Sequence, residues 1–85
     1  HAFTDIGGEG AWTASILHRG TGIGAAITAD TPWVQVYSGE QVSRRGVAIE
    51  PMTCPPNAFN SHTDLAVLEP GQTHSITVGI HGFAL

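Results

Sequence analysis

The sequence predicts an all-β protein, an antiparallel β-sandwich or barrel, and three observations support this fold class. Apolar and polar residues alternate along seven short segments, no segment carries a sustained helical stripe, and turn-forming residues separate the segments. The 85 residues are enough for one small domain at most. Since only 12% of the residues are charged and 41% are apolar, we expect neighbouring segments to cover part of the surface.

The predicted strands follow one another along the whole chain. In order they are residues 2–6, 12–19, 23–29, 33–38, 46–50, 65–69 and 73–81. The separators, rich in glycine, proline, asparagine and aspartate, are residues 7–8, 20–22, 30–32, 38–39, 55–57 and 70–71. Short strands joined by such turns are typical of antiparallel sheets.

The glycine-rich run GTGIGA, residues 20–25, has the spacing of a dinucleotide-binding fingerprint. That fingerprint requires a helix directly after the glycines. Only seven residues separate Gly24 from Pro32, and they include β-branched side chains. We therefore expect a hairpin turn between two strands here.

The segment WVQVY presents a face suited to a sugar. Because successive side chains point to opposite faces, Val34 and Val36 form an apolar side, while Trp33, Gln35 and Tyr37 line the other. Aromatic rings pack against the C–H patches of a pyranose, and an amide both donates to and accepts from hydroxyl groups. These three residues are candidate sugar contacts.

Glu50 ends the apolar segment GVAIE, where it shares a face with the small residue Ala48. A buried carboxylate loses its hydration, so the strand pattern alone favours a solvated strand end over a functional group. The space beside Ala48 nevertheless favours a ligand. The following PMTCPPNAFNS contains three prolines and two asparagines, which predicts a rigid, non-helical wall beside a cleft.

Charge and composition exclude several function classes. Three basic residues against seven acidic ones provide no cationic surface for nucleic acid or an anionic membrane. No apolar run is long enough to cross a bilayer or to act as a targeting segment. Cys54 is the sole cysteine, which excludes an intrachain disulfide and makes the cytoplasm the default location.

The five histidines form no recognisable metal-binding pattern. His74 and His81 are seven residues apart on one predicted strand, which places them on opposite faces. We expect neither a metal nor a cofactor.

Three segments, WVQVYSGE, RRGVAIEPMTCPPNAFN and LAVLEPGQTHSITVGI, together resemble the C-terminal third of an aldose 1-epimerase, also called galactose mutarotase. The resemblance extends over nearly the whole chain, and its most specific part is the Glu-Pro-Met run with the Pro-x-Ala-x-Asn element after it. It implies the C-terminal portion of a galactose mutarotase-like supersandwich, with residues 1–85 as a single partial domain. It also implies interconversion of the α and β anomers of an aldose by acid/base ring opening.

The resemblance further implies residue roles. In that family a glutamate at the position of Glu50 is the general base that takes the proton from the C1 hydroxyl, and the glutamine matching Gln35 contacts the sugar. The acid is a histidine that precedes this segment, and none of the five histidines here matches it. A positioned acid contributes about 10² to 10⁴ in rate, so we expect the chain alone to be inactive.

The resemblance also predicts the partners of the chain. They are an aldose of the galactose or glucose class and a missing N-terminal segment or complementary chain. The charge balance predicts no nucleic acid and no membrane among the partners. A truncated sandwich exposes strand edges and an apolar face, so a homo-oligomer is also expected.

Two alternative functions remain open. In one, the chain is a non-catalytic carbohydrate-binding or structural β-sandwich module that uses Trp33, Gln35 and Tyr37 without turnover. The other is an epimerase of phosphorylated sugars, for which Arg44 and Arg45 are the only clustered basic residues.

Overall fold

Two three-stranded antiparallel sheets build the architecture in the computed structural model, which describes residues 1–6 and 10–85. The strands are β1 Ala2–Phe3, β2 Trp12–His18, β3 Ile23–Ala29, β4 Trp33–Tyr37, β5 Ala48–Met52 and β6 Val78–Ala84. The first sheet has the order β1-β4-β5 and the second β2-β3-β6. The predicted all-β antiparallel sandwich is confirmed.

The core lies between the two sheets around Trp12, which is only 7% exposed. Trp12 packs with Ala29 and Val34, and the partly buried residues against them are Ile6, Ala14, Ile27 and Ile49. The Trp12 indole N–H donates to the carbonyl oxygen of Thr31 at 2.7 Å, so its polar edge is satisfied inside the core. Because Val34 and Ile49 face inward, the alternate residues of β4 and β5 must face outward.

The run GTGIGA forms the predicted hairpin. β2 and β3 pair antiparallel from Trp12 opposite Ala29 to His18 opposite Ile23. Gly22 has a φ of 73°, and its N–H donates to the His18 carbonyl at 2.9 Å. This left-handed turn is accessible to glycine without steric cost. A strand follows it, as expected.

The connection between β4 and β5 contains a 3₁₀ turn at Glu40–Val42. It is organised by Gly39, which is buried and has a φ of 75°. The Gly39 carbonyl accepts hydrogen bonds from the N–H groups of Val42 at 3.0 Å and Arg44 at 2.7 Å. This folded loop fixes how β5 returns along β4.

Several strand limits differ from prediction. β1 ends at Phe3, and β5 runs from Ala48 to Met52 with Pro51 inside it. β5 is a sheet edge, so the missing N–H of Pro51 removes no bond from the pairing with β4. The predicted turn at residues 7–8 lies outside the described residues.

The predicted strand at residues 65–69 is wrong, because no strand forms there. A strand requires a hydrogen-bonded neighbour, and Val67 instead lies 70% exposed. The turn predicted after it is confirmed. Gly71 has a φ of 88°, and the Gln72 N–H donates to the Glu69 carbonyl at 3.0 Å.

The last predicted strand, residues 73–81, begins later than expected, as β6 at Val78. The alternation of Ile76, Val78 and Ile80 predicts one side that faces the core. All three are exposed instead, Ile80 by 78%. β6 is the edge of the second sheet, and Ile80 borders an open groove between the sheets.

The proline-rich stretch after β5 was expected to be non-helical, but it contains one helical turn, α1 Ala58–Ser61. The turn follows the prolines, and Asn57 enters it with a φ of 67°. The Asn60 side-chain amide donates to Asn57 Oδ1 at 2.6 Å, while Ala58 is buried. No helix within the described ranges has the length and apolar character of a bilayer span.

Candidate functional site

Glu50 and Gln35 lie side by side in the structure. They are direct partners in the antiparallel pairing of β4 with β5. Directly opposed residues in such a pair have Cβ atoms about 4.5 to 5.5 Å apart and point to the same face. The candidate base and the candidate amide contact therefore share one surface.

The outward side of these two strands, here called the outer face, carries both candidate aromatic residues as well. Trp33 is opposite Met52, and Tyr37 is opposite Ala48. The outer face comprises Trp33, Gln35, Tyr37, Ala48, Glu50 and Met52. On the other side of β4, Ala2 of β1 is opposite Gln35. Ala2 and Ala48 are the smallest neighbours of the polar pair in the sheet.

The Glu50 side chain is exposed, as the strand pattern alone favours. Gln35 is half-buried. In the part of the chain that the structure describes, neither side chain has a hydrogen-bond partner, and Glu50 has no ion-pair partner. The carboxylate and the amide are thus available to a ligand. A carboxylate accepts protons and hydrogen bonds, and an amide offers both a donor and an acceptor.

The two aromatic rings of the outer face are held by other parts of the chain. The Trp33 indole N–H donates to Asp64 Oδ2 at 2.7 Å. The Tyr37 hydroxyl oxygen accepts a hydrogen bond from the backbone N–H of Gln41 at 2.8 Å. Both rings are half-buried. The Trp33 N–H is therefore occupied, while the Tyr37 hydroxyl still has its own O–H to donate. The ring faces and this O–H are left for a ligand.

The sequence pattern predicted neither Asp64 nor Gln41 as a residue that holds an aromatic ring of the outer face. Asp64 is 31 residues from Trp33 along the chain, so no local pattern connects the two. Gln41 acts through its backbone, which carries no signal of residue type. Both contacts depend on how the loops return to the sheet.

Arg44 and Arg45 do not belong to the outer face. Together with Ser38 and residues 16–18 of β2, they line a hollow of about 280 Å³. Arg44 also approaches Glu40, with 3.9 Å between Nη2 and Oε1, and both side chains are exposed. The only clustered basic residues thus lie apart from Glu50 and Gln35.

The remaining candidate groups are the metal-ligating side chains and the thiol of Cys54. Across residues 1–6 and 10–85, no three histidine, cysteine, aspartate or glutamate side chains converge on a point that could hold a metal ion. Cys54 is a free, half-buried thiol.

Comparison with known proteins agrees with the resemblance seen in the sequence. The model of the family "Aldose 1-epimerase" matches residues 1–81. "Uncharacterized protein YihR" of Escherichia coli (strain K12) is 48% identical over 71 residues, which cover 84% of this chain. The chain spans 23% of the length of that curated relative. No solved structure matches the chain significantly.

Proposed function

The chain belongs to the aldose 1-epimerase family, and from this premise we propose that it supplies the general base of a mutarotase-like isomerase. The base is Glu50. Gln35 binds sugar hydroxyls, and Trp33 and Tyr37 hold the C–H surfaces of the ring. The observation that carries the proposal is the direct pairing of Glu50 with Gln35 on a face bordered by two aromatic rings.

The proposed reaction begins with a proton transfer to Glu50. Its carboxylate takes the proton of the C1 hydroxyl while the bond from C1 to the ring oxygen breaks, and an acid gives a proton to that oxygen. The product is the open-chain aldehyde. Rotation about the bond between C1 and C2 exposes the opposite carbonyl face, and the reverse proton transfers close the ring as the other anomer. Atoms and protons balance without a cofactor.

The acid has to come from outside the outer face. The five histidines are on other elements: His1 ahead of β1, His18 in β2, His81 in β6, and His62 and His74 in irregular segments. We propose that a preceding segment of the same domain, or a complementary chain, supplies the acid and covers the outer face. Such a cover would also exclude water from Glu50, which strengthens its electrostatic interactions with a bound sugar.

Three features of the described residues support association with a further segment, although they lie away from the outer face. The Cα radius of gyration is 15.2 Å, compared with about 12 Å for a self-contained domain of this length. Large apolar side chains are also exposed on the inward side of the second sheet, including Ile16, Ile23 and Ile80. An open apolar groove of about 160 Å³ runs between the sheets, bordered by Ile16, Ile49 and Ile80. Apolar surface of this kind favours association with further strands.

Polarimetry of α-D-galactose and α-D-glucose would test the proposal. The chain alone is expected to give no rate above the spontaneous one. A chimera in which this chain replaces the matching 71-residue segment of the E. coli relative is expected to catalyse mutarotation. In the chimera Glu50→Gln should lower kcat at least ~10²-fold, as expected for loss of a general base. The matched control Glu69→Gln, in an exposed turn, should keep full activity. Glu50-dependent mutarotation by the isolated chain would contradict the proposal that the acid comes from another segment or chain.

A sugar-binding module without turnover is the second candidate, and the exposure of Glu50 on a face without a histidine favours it. This alternative predicts that the chimera binds galactose or glucose in calorimetry with no change in mutarotation rate. It also predicts that Glu50→Gln alters affinity only. A rate that depends on Glu50 would exclude it.

A further inference from the structure

A hydrogen bond joins Trp33 of the outer face to Asp64, a residue outside that face. We propose that Asp64 is a positioning residue that fixes the Trp33 ring as one end wall of the sugar subsite. The inference rests on the proposed function and extends it, because it explains how a half-buried aromatic residue is kept in one orientation for a ligand.

The bond itself has the features of a strong contact. The indole N–H of Trp33 donates to a carboxylate oxygen at 2.7 Å. Hydrogen bonds to an ionised acceptor are shorter and roughly twice as strong as those between neutral groups. A half-buried indole with its N–H fixed in this way has little freedom to rotate.

The backbone conformation around Asp64 places its carboxylate at the Trp33 indole. His62 and Asp64 both adopt left-handed conformations, with φ values of 61° and 52°. Such conformations are uncommon outside glycine, and aspartate is among the residues that tolerate them best. The Leu65 N–H donates to the His62 carbonyl at 3.5 Å, which closes a tight turn after α1.

The segment between β5 and this turn begins and ends at the same ring. Met52, the last residue of β5, is opposite Trp33 in the sheet. The chain then passes through the prolines and α1 and returns to Trp33 through Asp64. The proline-rich stretch is therefore closed onto the Trp33 end of the outer face.

This arrangement determines what Trp33 can offer a sugar. Its single donor is already used by Asp64, so the ring contributes packing against C–H groups only. Polar recognition is then left to Gln35, Glu50 and the O–H of Tyr37. The ligand class that fits is a pyranose with an apolar C–H face toward Trp33 and hydroxyl groups toward the paired amide and carboxylate.

Tyr37, at the other end of the outer face, provides a matched comparison. Its hydroxyl is held by the backbone N–H of Gln41, so Gln41→Ala retains that bond. Asp64→Ala instead removes the only atom that holds the Trp33 indole in the part of the chain that the structure describes. Gln41→Ala is therefore the control substitution.

The first measurement needs no sugar. The chain contains two tryptophans, so a ¹H–¹⁵N spectrum should contain two indole N–H signals, which Trp33→Phe assigns. Asp64→Ala is expected to shift the Trp33 signal and to accelerate its exchange with water, while the Trp12 signal stays in place. Asp64→Asn, which keeps an acceptor oxygen, should restore slow exchange in part. An unchanged Trp33 signal in Asp64→Ala would overturn the inference.

The second measurement uses the chimera and polarimetry. Asp64→Ala is expected to raise KM about three- to tenfold with kcat nearly unchanged, the size expected for loss of one aromatic contact. Gln41→Ala should leave both constants unchanged, and Glu50→Gln should lower kcat instead. If Asp64→Ala leaves KM unchanged or lowers kcat alone, the positioning role is wrong. A chimera without any sugar turnover or binding would refute the proposed function, and the indole signal would still decide whether Asp64 holds Trp33.

Discussion

Replacing Gly39 with alanine should destabilise the protein because Gly39 organises the loop that sets the pairing of β5 with β4. Gly39 is buried and has a φ of 75°. A Cβ at this position would overlap the carbonyl oxygen of Gly46 across the loop. Both atoms belong to backbone or are attached to it directly, so neither can rotate away. The loop would have to open.

The magnitude follows from three contributions. Left-handed backbone costs an alanine about 1 to 2 kcal/mol. The lower entropy of the unfolded alanine chain offsets about 0.4 to 1 kcal/mol of this. Opening the loop weakens the two hydrogen bonds to the Gly39 carbonyl, each worth about 0.5 to 1.5 kcal/mol. We expect the free energy of unfolding to fall by about 2 to 3 kcal/mol.

Urea unfolding followed by tryptophan fluorescence would measure this loss. With an m value of about 1 to 2 kcal/mol/M, the midpoint should fall by about 1 to 3 M. Gly46→Ala is the matched control, because nothing lies within 4 Å of a Cβ there and its φ is not positive. Its midpoint should stay near that of the unsubstituted protein. Equal losses in the two variants would refute the reasoning from Gly39 geometry.

Two further predictions concern packing and pH. Gly24→Ala places a Cβ against the Phe83 ring on the neighbouring strand, which should lower the free energy of unfolding by about 1 to 3 kcal/mol. The control Gly79→Ala has open space around its Cβ and should leave the melting temperature nearly unchanged. Equal melting temperatures of the two variants in thermal unfolding would contradict this prediction. A hydrogen bond from the Ser38 hydroxyl holds the pKa of Glu40 below its ordinary value of 4.5. Because the folded pKa is depressed, the associated stability is present above the unfolded value and is lost as pH falls through the folded one. Ser38→Ala should return the Glu40 titration toward 4.5, which a carboxyl-carbon NMR titration would detect, and an unchanged titration would contradict the assignment.

The sequence by itself determined the fold class and the two faces of the key strands. Alternation of side chains is a property of the extended backbone, so the separation of Trp33, Gln35 and Tyr37 from Val34 followed from the order of residues alone. The hairpin at residues 20–25 was equally local, because it depended on glycine at a turn and on too short a distance for a helix. The family followed from motifs that extend along the chain.

Only the tertiary structure decided which residues from different strands meet. The pairing of Gln35 with Glu50 depends on the loop built on Gly39, and the contact of Asp64 with Trp33 joins residues 31 apart. The same limit explains the failed strand at residues 65–69, whose sequence had the right alternation but which has no neighbouring strand. The alternation of side chains between two faces follows from the extended backbone of a single strand. Register, strand pairing and burial depend instead on distant segments that the local pattern does not specify.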